Sequence, residues 1–465
     1  METEIRMTDR KRTMIFINIV ITCIASSMLA TALTTALPAI IEDLSIDVSA
    51  GQWLTSGYSL AMGIIMPLTA FLITRFPTRR LYLSGIVLFI AGLVLCVVAP
   101  DFQIMMAARI LQACGNGVLS SMAQVIILTI YPIEKRGTAM GWYGLSIGAA
   151  PVIAPTLAGV IVDMFGWRAI FYISIGIMAV SFCWALGVLD NVLETAKKKF
   201  DTASFVLSVF AFGGLTLGIG NIGNYSFFSL QVLLVLIIGV LASALFVYRQ
   251  LHLEEPFLEL RILKKKNYAV SVAGSMLLYF VMMGSSILMP LYAQSVMGCS
   301  ATVSGLIVLP GSAVMAIVSP FAGKIYDKLG MKILFVIGAV CMTVSCAGMC
   351  LLTMDTSVWM AAAWNTLRTT AIGCLMMPLV TWGTEGIGFK MISHGTALLT
   401  SLRTVAGAMG TAVFVGIMNT ASKNAATKYG DAAGLHGITT AFFWMTIVSA
   451  LLVVTGIFLV GRRDD

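Results

Sequence analysis

The stretch Gly323-Lys-Ile-Tyr-Asp-Lys-Leu-Gly-Met-Lys332 closes one long apolar run and opens the next, and its glycine, aspartate and basic residue stand at fixed spacing. A stretch of the same spacing, Ala70-Phe-Leu-Ile-Thr-Arg-Phe-Pro-Thr-Arg79, joins two earlier apolar runs at an offset of 253, from Ala70 to Gly323. Arg109 matches Arg368 at an offset of 259, and Gly137-Thr138-Ala139 matches Gly395-Thr396-Ala397 at 258. Three near-equal offsets predict a duplicated architecture, a common plan in membrane transporters.

Outward from these joints, a membrane-crossing helix needs about 20 mostly apolar residues. Such runs fall at 13–41, 50–74, 81–99, 103–131, 137–164, 167–189, 203–222, 228–249, 267–297, 302–326, 331–353, 356–384, 393–421 and 437–461, predicting an all-α polytopic membrane protein with 14 transmembrane helices. Each repeated pair lies eight spans apart, so two extra spans, 203–222 and 228–249, separate two sets of six. Composition agrees. Charged residues are 11% of the 465, against roughly 25% in a soluble domain, and 59% are hydrophobic, with a mean hydropathy of +0.96. A soluble enzyme and a nucleic-acid binder are thereby excluded, despite a net charge of +8.

Basic residues test the topology, because they collect in cytoplasmic loops. Of the 29, Arg109, Arg368 and Arg403 lie within spans, Arg168, Lys423 and Lys428 fall on one side, and the remaining 23 fall on the other. Both termini share that basic side, which predicts a multi-pass protein of the cytoplasmic membrane with cytoplasmic termini. The first apolar run is too long for a signal-peptide core and reads as an uncleaved span. Nine cysteines without a Cys-x-x-Cys pair and three scattered histidines predict neither metal nor cofactor.

These residues resemble the major facilitator superfamily, and within it the 14-span drug:proton antiporters that include lincomycin-resistance-type exporters. GKIYDKLGMK is similar to the superfamily's loop signature, AARILQACGNG (107–117) to its fourth-span arginine motif, and GLSIGAAPVIAPTLAGVIVDMFGWRAIF (144–171) to its antiporter motif. EPFLELRILKKKNYAV (255–270), LRTTAIGCLMMP (367–378) and HGTALLTSLRTVAGAMGTA (394–412) also look like family segments. The resemblance implies a major facilitator fold: a six-helix bundle at 13–189, a linker at 190–266 carrying the two extra helices, and a second six-helix bundle at 267–461, flanked by cytoplasmic segments 1–12 and 462–465. The sequence departs from the family at Leu29 and Thr34, where the first span usually has Asp and Asn, and at Thr74, where the first loop motif has Asp.

Charges inside a membrane are costly, so each is a functional candidate. The coupling candidates are Arg109, Arg368 and Arg403, together with Asp163 and Glu385 near span ends, which would carry protons if buried. Arg109 and Gln112 share one helix face. Polar and aromatic residues in apolar spans predict a substrate-lining set of Thr31, Thr34, Tyr58, Gln112, Asn116, Gln124, Tyr143, Tyr279 and Asn365. Gly144, Gly148, Pro151 and Pro155 allow close approach and a bend, which predicts an outer gate. Gly323, Asp327, Gly330 and Lys332 predict a gate at the basic end.

The expected function is a secondary active exporter of small amphiphilic molecules, working by alternating access as a monomer among membrane lipids. Proton influx as the driving force is implied by the resemblance. Uptake or facilitated movement of an organic anion or metabolite is the alternative. A channel lacks any filter signature here, a membrane enzyme lacks a nucleophile or paired carboxylates, and an ATP-driven pump lacks its phosphate-binding loop.

Overall fold

A computed structural model describes residues 7–461 except 47, 194, 196–199, 224–228, 300 and 389–390. Lys197, Lys198, Lys199, Lys390, Arg462 and Arg463, which entered the charge count, lie outside the described residues, as does Arg6. Fourteen α-helices follow in order: α1 Asp9–Asp43, α2 Val48–Arg75, α3 Thr78–Val98, α4 Phe102–Ile130, α5 Ile133–Phe165, α6 Arg168–Val188, α7 Thr202–Gly220, α8 Leu230–His252, α9 Lys266–Leu291, α10 Ala301–Leu329, α11 Met331–Met349, α12 Val358–Glu385, α13 Ile392–Tyr429 and α14 Ala433–Phe458. No strand occurs among the described residues. Twelve helices are long and apolar enough by composition to cross a membrane, and α5 and α12, of 33 and 28 residues, complete the fourteen.

Local chemistry sets the helix ends. The Asp101 carboxylate accepts from the Ile104 N–H at 2.8 Å and the Ser357 hydroxyl from Met360 N–H at 3.2 Å, capping the starts of α4 and α12. Gly330 takes φ +77 at the joint between α10 and α11, a left-handed conformation that glycine alone adopts without strain. Two boundaries differ from expectation. Helix α13 continues eight residues past the predicted end of its apolar run, through the helix-compatible Thr420–Tyr429, so Lys423 and Lys428 stand on a helix and not in a loop. Span nine ends in a π-helical turn, Tyr292–Val296, pinned by the Tyr292 hydroxyl donating to the Thr353 carbonyl at 2.7 Å.

In the first half α1 packs on α5 and α6, α3 on α4 and α6, and α2 on α4. In the second half α9 packs on α13, α12 on α10 and α11, and α14 on α11 and α13. The two halves meet along α5 against α10 and α2 against α13. Helices α7 and α8 form a hairpin whose backbones touch: a Cβ on Gly214 would stand 2.8 Å from Gly239 Cα. Among the described residues α7 packs most closely on the halves, against α2 and α13, while α8 exposes Leu234, Leu241 and Tyr248 outward. Asp201 and Arg249 clamp the hairpin with two hydrogen bonds of 2.9 Å, and the guanidinium draws the Asp201 carboxyl down to about 2.

Candidate functional site

Because the helices alternate in direction, one end of the molecule collects the basic joints and is called the basic end; the other is the far end. Along the seam the described helices approach most closely in their basic-end halves. Asp327 on α10 accepts from the Gly137 N–H at 2.8 Å, from the Thr138 N–H at 2.7 Å and from the Thr138 hydroxyl at 2.5 Å, all at the start of α5. This is possible because Gly323 sits against the Gly137 backbone, and a Cβ on Gly141 would lie 2.5 Å from the Ser319 carbonyl oxygen. Next along α5, a Cβ on Gly144 would lie 2.7 Å from Met377 of α12, and Gly148 faces Met315 of α10.

An apolar seal completes the closure. Met377, Val380, Ile387, Ile392, Ala397, Leu398 and Leu399 from the basic ends of α12 and α13 belong to one buried core with the first half. In the far halves of the same seam helices, Gly159 of α5 and Gly305 of α10 would meet nothing within 4 Å. The tight packing of Gly144 and Gly148 therefore lies at mid-helix and toward the basic end of α5. The side chains of Pro151 and Pro155 lie outside the described residues. Lys332 is half-buried at the start of α11, behind Gly330.

The three intramembrane arginines are all buried, but their surroundings differ. Arg109 donates through Nε to the Leu54 carbonyl of α2 at 3.1 Å and through Nη1 to Gln112 Oε1, and its guanidinium lies 4.1 Å from the Tyr58 ring centroid. Gln112 donates onward to Cys96 Sγ at 3.2 Å, and Asn116 donates to the Tyr58 hydroxyl at 2.7 Å. All these groups belong to the first half, so Arg109 ties α4 to α2 within one bundle.

Arg368 is arranged likewise in the second half. Its Nη2 donates to Asn365 Oδ1 at 2.8 Å and its Nη1 to the Ser285 hydroxyl at 2.7 Å, tying α12 to α9.

Arg403 differs. It projects from α13 one turn past Leu399, between Leu399 and Val405 of the seal's buried core, 6% exposed, with its guanidinium 4.9 Å from the Tyr279 ring centroid on α9. Tyr143 of α5, in the opposite half, lies within reach of the Arg403 charge and of the Gln124 side chain of α4, with no direct hydrogen bond between Arg403 and Tyr143. Among the described residues its Nη1 has no hydrogen-bond partner, nor have Gln124 Oε1 and Thr400 Oγ1. Cys23 of α1 reaches the Tyr143 hydroxyl at 3.8 Å. The structure thus gathers Arg403, Tyr143, Gln124 and Tyr279 from four helices and both halves at one level of the seam.

Other predicted residues fall elsewhere. Thr31 and Thr34 donate to carbonyls of their own helix, Ser27 at 3.1 Å and Thr31 at 2.6 Å, and Thr34 is exposed. Asp163 is exposed in the last turn of α5, so the burial that a proton-carrying role demands is missing. Glu385 is half-buried at the basic end of α12. Sequence reasoning missed a buried knot in the first half: Asn18 donates to the Ser181 carbonyl at 2.9 Å, and the Thr22 hydroxyl meets Ser181 Oγ at 2.6 Å and accepts from Tyr82 at 3.0 Å. Asn18 inside an apolar run was the available signal. Thr400 was missed because threonine in a membrane helix ordinarily satisfies its hydroxyl on its own backbone.

A two-bundle architecture with duplicated arginine helices and a polar seam is matched by one family model, the Major Facilitator Superfamily, over residues 15–411. The chain belongs to the Major Facilitator Superfamily. Its members are transporters and not enzymes. Among relatives in this superfamily, the uncharacterized transporter YcnB of Bacillus subtilis is 38% identical over 429 residues, spanning 92% of this chain and 90% of its own. The lincomycin resistance protein LmrB of the same organism is 33% identical over 476 residues, spanning 100% and 99%. Among solved structures, the human organic anion transporter MFSD10 superposes with a TM-score of 0.68 at 13% identity, covering 97% of this chain and 100% of that one, a likeness of fold.

Proposed function

We propose that the chain is a secondary active exporter of amphiphilic small molecules, working as a monomer in the cytoplasmic membrane by alternating access. The observation that carries this reading is the seam, closed at its basic end by the Asp327 latch and the apolar seal, with buried polar groups from both halves directly beyond. That is the arrangement of a transporter whose bundles rock about a central site. The name of LmrB supports drug-type cargo. The 23 basic residues on one side support a cytoplasmic basic end. In that orientation the conformation described is outward-facing.

In this reading Tyr143, Gln124, Tyr279 and Arg403 contact cargo, while Gly137, Gly141, Gly144, Gly148, Gly323 and Asp327 let the basic end close. Arg109 and Arg368 hold their own bundles rigid. Proton influx drives export, and Glu385 is the acid placed to change its surroundings when the basic end opens. The test is flux of fluorescent amphiphiles in proteoliposomes with and without an imposed pH gradient. Gradient-driven movement is the expected result. Flux indifferent to the gradient refutes proton coupling, and absence of flux for every probe refutes transport of this class.

A second reading, uptake or facilitated movement of an organic anion, is favoured by the missing acid: among the described residues no Asp or Glu is buried, whereas three arginines are. The direction of flux in the same vesicles separates the two.

A further inference from the structure

A buried guanidinium N–H without a partner is costly, because it has given up water and received nothing in exchange. The protein satisfies its other two intramembrane arginines with carbonyl, amide or hydroxyl oxygens. Ion pairs such as Lys11–Asp190, Arg168–Asp43 and Arg249–Asp201 lie elsewhere, toward helix ends and joints, and none of them involves Arg403. Its guanidinium lies against an aromatic face, Tyr279, and its charge reaches a phenolic hydroxyl of the opposite half, Tyr143. One turn back on α13, Thr400 presents a second polar atom without a partner, at the i−3 position that shares the Arg403 face. A buried Nη1 without a partner, the unbonded Thr400 hydroxyl one turn back and Tyr143 of the opposite half make a set of donors drawn from both halves. No acceptor among the described residues satisfies Nη1.

Resting on the transport reading above, we propose that Arg403, with Thr400 and Tyr143, binds the negatively charged group of the cargo, so that carboxylate- or sulfonate-bearing amphiphiles are the preferred substrates. The planar guanidinium gives a carboxylate two parallel donors, and the Tyr279 ring keeps its opposite face out of contact with other acceptors. Gln124 Oε1, an open acceptor hydrogen-bonded through the same side chain to Tyr143, suits a donor elsewhere on the cargo.

The test compares binding of carboxyfluorescein with that of rhodamine 123, a cation built on the same ring system, to the full chain in phosphatidylcholine nanodiscs. The wild type is expected to prefer the anion. Arg403→Gln should weaken anion binding about tenfold or more, the scale of a charge-assisted hydrogen bond, and leave the cation unchanged or tighter. Arg403→Lys should retain most of the preference, and Tyr143→Phe should lower it by a smaller factor.

Equal losses for both probes in Arg403→Gln overturn the proposal. So does a wild type that prefers the cation, a result that needs no variant to fold. Adding phosphatidylglycerol to the nanodiscs should leave carboxyfluorescein affinity unchanged; competition would assign the site to a lipid headgroup and overturn the substrate assignment. If the wild type moves rhodamine 123 across proteoliposomes but shows no anion preference, the proposal fails while transport stands. If it moves neither probe, the transport reading itself fails.

Discussion

Replacing Gly141 by alanine isolates the seam, because it changes one methyl and no polar group. Alanine ordinarily stabilises a helix interior by about 0.5–1 kcal/mol over glycine. At Gly141 the new Cβ would lie 2.5 Å from the Ser319 carbonyl oxygen and 3.0 Å from Pro320 Cα, both backbone, so no rotamer change relieves it. Ordinary contact begins at 3.4 Å, so α5 and α10 must separate by 0.9 Å, the difference from 2.5 Å. The same displacement one turn away stretches the Asp327 bonds to Gly137 and Thr138, now 2.8 and 2.7 Å, past hydrogen-bond range.

Overpacking costs about 1–3 kcal/mol. Two charge-assisted bonds in a half-exposed setting add about 1.5–3. The helix gain is common to the closed and open states and cancels, so the closed state loses about 2.5–6 kcal/mol, a shift of roughly 60-fold or more toward an open basic end. Amide exchange by mass spectrometry in nanodiscs reads this directly, as faster exchange of the peptide carrying the Gly137 and Thr138 N–H groups. Gly159→Ala is the control, on the same helix where a Cβ meets nothing within 4 Å. Identical exchange in the two variants would refute the argument that backbone contact at Gly141 holds the seam closed.

Arg109→Ala should lower the thermal unfolding midpoint, because it opens a buried cavity and leaves Gln112 Oε1 unpaired, together about 2–4 kcal/mol. Arg109→Met should lose less, since a packed apolar side chain removes the charge and fills the space. A wild-type midpoint in Arg109→Ala with transport abolished would return Arg109 to the coupling machinery. The Asp201 clamp carries a pH dependence. Its folded pKa lies below the ordinary carboxylate value, so its contribution is present above about pH 4 and disappears as pH falls through about 2. With Arg249 40% exposed, water screens the pair and keeps that contribution small. Asp201→Asn should show the same loss at neutral pH and no further change between pH 4 and 2; proteolysis of the α7–α8 hairpin measures both.

The sequence was most informative where length and hydropathy decide. Fourteen apolar runs became fourteen helices, with most ends within four residues, because the cost of exposing backbone to lipid forces each run into a complete helix. The far end of α13 escaped because a helix need not stop where apolarity stops: Lys423 and Lys428 interrupt the hydropathy without interrupting the hydrogen bonds. The joint Gly323–Lys332 was legible down to its chemistry, since close approach needs Gly323 and positive φ needs Gly330. The partners of the buried arginines were not. Arg109 reaches Leu54, 55 residues away, and Arg368 reaches Ser285, 83 away, and the helix rotations that join them are set by packing all around each bundle.

That packing divides three similar arginines into two kinds. A ligand shifts a conformational equilibrium only through interactions that differ between the two states. The bonds of Arg109 and Arg368 run within single halves, so rigid rocking of the halves carries them along unchanged. The surroundings of Arg403 are split, Tyr279 in its own half and Tyr143 across the seam, so rocking must alter them. On the proposal above, Arg403 is among the described intramembrane arginines the one through which bound cargo would favour one state over the other, and its unpartnered Nη1 is where that cargo would act.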